Sequence, residues 1–155
     1  MAGKVEAKLA ELGIVLPTPM PPVANYVPFV IAGDLVFVSG QLPTIDGKVA
    51  WAGKVGGAVS VEEAGKACRQ SFINVLVQLK VAAGGDLDRV IQVVRLGGFI
   101  AAGPDFTQHA TAMNGASNLS VDVFGDRGRH ARTTIGVASL PLDAAVEVEG
   151  LFRIA

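Results

Sequence analysis

Between Ala131 and Leu151 the chain alternates in polarity twice, and this alternation restricts its fold more than any other stretch. From Ala131 to Val137, Arg132 and Thr134 fall on one side and Thr133, Ile135 and Val137 on the other. From Ala145 to Leu151, Glu147 and Glu149 take one side, with Val146, Val148 and Leu151 apolar around them. Successive side chains leave a β-pleat on opposite faces, so a period of two marks a half-buried strand. Pro141, inside Ser139–Asp143, has no N–H and a fixed φ, which ends the first run. The expectation is two strands joined by a short turn, with Arg132, Glu147 and Glu149 sharing the face opposite the core.

A guanidinium is permanently charged and presents a planar fork of donors that fits a carboxylate at two points. Arg132 therefore reads as an anion receptor. Glu147, on a neighbouring strand, reads as a group that positions a water or moves a proton. The competing reading is a surface salt bridge on a solvated sheet face, of the kind that contributes little. The residues alone leave both open.

The chain has 155 residues, one domain's worth at about 150 residues per domain. Half of it is hydrophobic and 17% charged, the balance of a globular chain. A mean hydropathy of +0.46 points to apolar surface hidden by more than the chain's own fold, and oligomerisation is one way to hide it. The net charge of −1 argues against binding nucleic acid by phosphate neutralisation. A single cysteine, Cys68, excludes an internal disulfide and fits a reducing compartment. The first residues, MAGKVEAKLAELG, lack the apolar core of a signal peptide, and no run approaches the ~20 apolar residues of a membrane span. A cytoplasmic protein is expected.

Taken in order, residues 4–12 read as a short amphipathic helix on Val5, Leu9 and Leu12, stopped by Gly13 and a proline-rich connector from Pro17 to Pro22. Val27–Ile31 and Leu35–Val38 form a hairpin about Ala32-Gly33-Asp34, and Lys48–Trp51 an edge strand after the Asp46-Gly47 turn. Tyr26, just before the first strand, reads as a ligand contact or an ordinary strand-edge aromatic.

Ser60 and Glu63 match a capping box opening a long helix from Val61 to about Ala83, with a core stripe of Ala64, Cys68, Phe72, Val75 and Leu79. Cys68 on that stripe reads as a small buried hydrophobe rather than a catalytic thiol. Val90–Ile100 is apolar on both faces apart from Gln92 and Arg95 and belongs at the sheet centre. Phe106–Phe124, after a candidate N-cap at Gly103-Pro104-Asp105, is a second helix that Asn114-Gly115 weakens in the middle. His109 and His130 have no His or Cys partner at metal-ligand spacing, so no metal site is expected. The sum is an α+β layer with two helices on one face of a mixed sheet.

The Ser39-Gly40-Gln41-Leu42-Pro43 strand end, Ala131-Arg132-Thr133, the Leu140-Pro141 turn and Val146-Glu147-Val148-Glu149 occur in that order. Together they resemble the RidA/YjgF family of imine and enamine deaminases, over roughly residues 23–152. The resemblance implies one domain over 1–155 with an N-terminal helical extension, residues 1–22. It implies a chorismate-mutase-like, ferredoxin-like two-layer fold assembled as a homotrimeric barrel, with ligand clefts between subunits.

The implied reaction is hydrolysis of reactive 2-imino or 2-enamino acids, such as 2-iminopropanoate and 2-aminoacrylate, to 2-keto acids and ammonia, with no cofactor and no metal. By position, the family's carboxylate-binding arginine falls on Arg132 and its water-handling glutamate on Glu147. Tyr26, Ser39 and Asn114 fall on further substrate-binding positions. Thr134 stands where cysteine is frequent, and His130 where proline is frequent.

Two other readings accompany the enzyme. One is a trimer that binds a small carboxylate without turnover. The other comes from family members linked to RNA cleavage and translation inhibition, for which Arg127, Arg129, His130 and Arg132 would be the basic cluster. With Asp126 beside it and a net charge of −1, that cluster reads as a solvated loop and nucleic acid as an unfavoured partner.

Overall fold

A computed structural model describes residues 3–19, 21 and 24–155. In chain order these form α1 (Lys4–Glu11), β1 (Phe29–Ala32), β2 (Leu35–Gln41), β3 (Thr44–Ile45), β4 (Lys48–Val49), α2 (Val61–Ala82), β5 (Val90–Ala101), α3 (His109–Phe124), β6 (Ala131–Val137) and β7 (Val146–Ile154). Pro22, at the end of the proline-rich connector, lies outside the described residues. No helix among those described is long and apolar enough to cross a membrane.

The main sheet runs β1-β2-β7-β5-β6, and only the β5–β6 pair is parallel. The apolar run of β5 takes an interior position, as its two-sided hydrophobicity requires. That placement separates the two strands expected to be neighbours. β6 and β7 both pair with β5, and Pro141–Asp143 carries the chain across it rather than around a hairpin turn. Alternation fixes the face of each residue, but it carries no information about which strand lies alongside.

The faces follow the alternation closely. Val146, Val148, Phe152 and Ile154 of β7 are buried on the helix side, together with Val36 and Val38 of β2 and Leu96 and Ile100 of β5. Glu147, Glu149 and Leu151 take the other side, so Leu151 shares the face of the glutamates rather than that of the valines. This second face is apolar yet open: Val30, Phe37 and Ile135 are 52%, 46% and 47% exposed.

α2 is capped as its sequence indicates, the Ser60 hydroxyl accepting from the Glu63 amide at 3.1 Å. The reciprocal half of the capping box does not form. Glu63 instead accepts from the Trp51 indole N–H at 2.8 Å and pairs with Lys66 at 2.9 Å. Buried positions extend beyond the expected stripe to Ala67, Ser71 and Leu76, because α2 is covered by more than the sheet. α3 packs along one flank, and on another the Asn74 amide donates to the carbonyls of Leu42 and Thr44 at 2.9 and 3.1 Å. Those bonds hold the β3–β4 hairpin, of which only the second strand is expected from the sequence.

α3 begins at His109, three residues later than expected, with no side-chain cap. α1 and the segment after it belong to the core: Val5 and Leu9 of the helix and Ile14 beyond it are buried there, and the Asp88 carboxylate accepts from the Lys4 and Val5 amides at 2.8 Å. Those two amides hold the Asp88 carboxyl below its ordinary range.

Gly115 carries a constraint its sequence context does not show. A Cβ there would lie 1.9 Å from the Gly65 carbonyl oxygen, so α2 and α3 approach closely only because this residue lacks one. Gly115→Ala is expected to destabilise the fold by roughly 1–3 kcal/mol, the usual cost of overpacking, although alanine is the better helix former. Urea unfolding monitored by circular dichroism measures this, and an unchanged midpoint would refute the close approach.

Candidate functional site

The expected site residues fall into two groups on opposite faces of the sheet. Arg132 is in register with Leu96 and turns toward the helices, where its Nη1 donates to Asn114 Oδ1 at 2.8 Å and to Ser117 Oγ at 3.2 Å. Glu147 is in register with Phe99 and turns away from the helices. β5 lies between them, so a single chain does not bring this arginine and this glutamate together. The expectation that Arg132, Glu147 and Glu149 share a face is corrected here: the parity of each strand is right, but the strands present these positions to different sides.

The Arg132 group sits at the sheet edge, between β6 and α3. Among the described residues no carboxylate pairs with this guanidinium, and its two protein partners are neutral acceptors. The salt-bridge reading of Arg132 is therefore not realised. Two residues further along the same face, the Thr134 hydroxyl is buried with no hydrogen-bond partner among the described residues. A buried hydroxyl without a partner costs stability, and a ligand beside Arg132 would relieve that cost. Cys68 lies beneath. Burial pushes its thiol up to about 12 against the opposing pull of Arg132, so it stays protonated and inert.

The Glu147 group gathers around β7, the central strand, and its neighbour β2, with the segment leading into β1. The Ser39 hydroxyl donates to the Val27 carbonyl at 2.7 Å, fixing the segment that carries Tyr26, and Gln41 donates back to the Ser39 carbonyl at 3.0 Å. Tyr26 itself is 58% exposed. Gly40 is a glycine for space: a Cβ would lie 2.2 Å from Glu147 Oε1, so the SGQ strand end packs directly over this carboxylate. Burial, and secondarily the charge of Glu149, raises the Glu147 carboxyl above its ordinary value. Glu149 has its own counter-ion, Arg95 at 3.4 Å.

A raised carboxyl means that the folded chain binds a proton more readily than the unfolded one, so stability falls as pH rises through that range. Glu147→Gln removes the penalty. Its melting temperature is expected to exceed that of the parent at about pH 8 and to match it at about pH 3.5, where the carboxyl is protonated in both states. A gain that is equal at both values would show that burial of the charge is not its cause.

Sequence reasoning misses Ser117 and the part played by His130. Ser117 lies three residues after Asn114, hence on the same helix face, a spacing that signals the connection once Asn114 is singled out. His130, with no metal-ligand partner in the sequence, is bound at both ring nitrogens: Nε2 lies 2.9 Å from Ser117 Oγ and Nδ1 lies 2.6 Å from the Gly128 carbonyl. The basic cluster disperses. Arg127 donates to the Val90 carbonyl at 2.7 Å, Arg129 faces Asp126 at 3.5 Å, and Arg132 turns to α3. A separate cleft of about 420 Å³, between Thr18, Thr44, Asp46 and the outer side of α2, shares only Gln41 with either group.

Residues 6–153 match the family described as "YjgF/chorismate_mutase-like, putative endoribonuclease". Protein TCP17 of Trypanosoma cruzi is 45% identical over 154 residues, which is 99% of this chain and 96% of that protein. The crystal structure of Atu1372 from Agrobacterium tumefaciens matches with a TM-score of 0.91 at 46% identity, covering 97% of this chain and 93% of that one. TdcF of E. coli, solved with bound serine, matches with a TM-score of 0.61 at 25% identity over 90% of this chain and 93% of its own. A match across nearly the whole sequence, carried on this mixed-sheet α+β fold, means that the chain belongs to the YjgF/chorismate mutase-like family.

Proposed function

We propose that this protein hydrolyses reactive 2-imino and 2-enamino acids to 2-keto acids and ammonia. The clefts would form where the Arg132 group of one subunit meets the Glu147 group of the next in a cyclic homotrimer. The observation that carries the reading is the pair of incomplete half-sites. One is a guanidinium held by neutral acceptors beside a partnerless Thr134 hydroxyl, and the other is a half-buried carboxyl raised above its ordinary value. Different surfaces of one chain that complement each other generate a closed ring when the rotation between subunits closes. The open apolar face with Val30, Phe37 and Ile135 supports such packing, since contiguous apolar surface on a folded chain marks an interface.

In that cleft Arg132 grips the substrate carboxylate at two points, and Thr134 and Asn114 border it. Water adds to C2 of the imine as Glu147 takes its proton, and the proton passes to nitrogen. The hydroxyl of the resulting carbinolamine then gives up its proton, which Glu147 relays to nitrogen as the C2–N bond breaks, so that ammonia leaves and the keto carbonyl forms. The substrate is already electrophilic, so holding and orienting it account for most of the acceleration. The serine in TdcF, a small amino acid with the same carboxylate, is compatible with this substrate class.

The family description offers a second reading, an endoribonuclease. The dispersal of Arg127, Arg129 and Arg132 removes the basic surface it would need. One experiment separates the readings. 2-Iminopropanoate is generated in situ by a dehydratase, and its loss is followed with and without the protein, alongside RNA integrity in EDTA. Faster imine loss with intact RNA is expected. RNA cleavage without imine acceleration favours the nuclease, and thermal protection by pyruvate with neither activity favours a binding protein.

A further inference from the structure

The described residues of this chain place one titratable imidazole in hydrogen-bonded contact with the Arg132 half-site, and its connection runs through a single hydroxyl. The Gly128 carbonyl can only accept, so at 2.6 Å it fixes the proton of a neutral His130 on Nδ1. It accepts from the buried Ser120 hydroxyl as well, at 2.8 Å. Nε2 is then a bare lone pair, and the Ser117 hydroxyl, 2.9 Å away, must donate to it. The Ser117 oxygen in turn accepts from Arg132 Nη1 at 3.2 Å. Every hydrogen in the chain Arg132–Ser117–His130–Gly128 is thereby assigned.

A second proton on the imidazole reverses one link. Nε2 becomes a donor to Ser117 Oγ, which already accepts from Arg132. The only hydrogen of Ser117 has no place left between them and turns outward, beside the guanidinium. The half-site then offers a carboxylate the Arg132 fork and one hydroxyl donor more.

We infer that Ser117 and His130 form a proton-gated donor at the Arg132 site, so that carboxylate binding and protonation of His130 favour each other. The inference rests on the reading of Arg132 as the carboxylate receptor and extends it. Among the described residues neither ring nitrogen pairs with a carboxylate: their partners are the Ser117 hydroxyl and the Gly128 carbonyl. The charged neighbours on the preceding turn are engaged elsewhere, Arg127 with the carbonyls of Asp88 and Val90 and Arg129 with Asp126. β5 contributes Gln92, whose amide donates to the Arg129 carbonyl, and α3 contributes Ser117.

Pyruvate, the product of 2-iminopropanoate hydrolysis, serves as the probe. Its dissociation constant is measured by NMR between about pH 5 and 8, the range over which imidazoles change charge. The His130 C2 proton is followed in the same samples, assigned through His130→Gln; His109 is the one other histidine. The expected result is binding that tightens about fivefold toward the acidic end, and a His130 midpoint that pyruvate raises by about 0.7, the logarithm of the same factor, because coupling is reciprocal.

Ser117→Ala leaves Arg132, Asn114 and the imidazole in place, and is expected to abolish both effects while pyruvate still binds. A midpoint shift that persists undiminished in Ser117→Ala overturns the gating. So does a wild-type midpoint that ignores bound pyruvate, when binding itself is lost in Arg132→Ala. Binding that survives Arg132→Ala unchanged overturns instead the underlying reading of the arginine, and the gate with it.

Discussion

Arg132→Ala is expected to lower kcat/KM for 2-iminopropanoate by about two orders of magnitude. A hydrogen bond to a charged partner is worth roughly 1.5–3 kcal/mol, and the variant loses a bidentate pair of them in a cleft that a neighbouring subunit would shield from water. A net loss of about 3 kcal/mol corresponds to about a hundredfold at 1.36 kcal/mol per decade. Most of the loss should appear in KM, because the carboxylate takes no part in bond making and is held equally before and at the transition state. Arg132→Lys keeps the charge without the planar fork and should recover only part of the loss. The fold should tolerate both changes. Arg132 lies at the edge of the sheet, and its partners Asn114 and Ser117 are neutral groups on the rim of α3, so no buried charge is left unpaired. A kcat/KM within twofold of the parent in correctly folded Arg132→Ala would remove this residue from the site and the proposed reaction with it.

What the sequence reveals of this arrangement depends on the kind of information each residue carries. Polarity alternation reports the face of a strand residue and nothing else. It therefore places Val146, Val148, Arg132 and Thr134 correctly within their strands, and it is silent on β5 lying between those strands. The continuous apolarity of β5 does indicate an interior position, since Leu96 on one face and Phe99 on the other suit a place between two strands better than a solvated edge. An interior β5 needs a neighbour on each side, and β6 and β7 taking those places is what separates Arg132 from Glu147. Glycine is ambiguous in the same way. Gly115 resembles a weak point in a helix, and Gly40 a strand irregularity; their real cause is a neighbour, the Gly65 carbonyl in one case and the Glu147 carboxylate in the other. Arg132 and Glu147 stand out as candidates in the sequence because guanidinium and carboxylate have few uses inside a protein. The network behind Arg132 does not, because serine and histidine have many, and only the folded helix brings Ser117 up to His130.

The separation of the two half-sites leads to a result that neither single variant can give. Assayed well below KM, Arg132→Ala and Glu147→Gln should each show little activity alone, since every cleft of the proposed ring would lack one of its two groups. Unfolded together in equal amounts and refolded, they form mixed rings. A cleft is complete when its arginine comes from a Glu147→Gln chain and its glutamate from an Arg132→Ala chain, each with a chance of one half. About a quarter of the clefts should therefore be intact, and activity should return to about a quarter of the parent level for a ring of any size built from one head-to-tail contact. The same arithmetic excludes the alternative. If both groups served one cleft from one chain, every cleft would still lack one of them, and mixing would restore nothing. Refolding each variant separately and then combining them controls for subunit exchange and should give the low, unmixed value at first. A mixed sample that stays as inactive as its parts would mean that Arg132 and Glu147 do not meet across a subunit boundary, and would leave the opposite faces of the sheet without a common function.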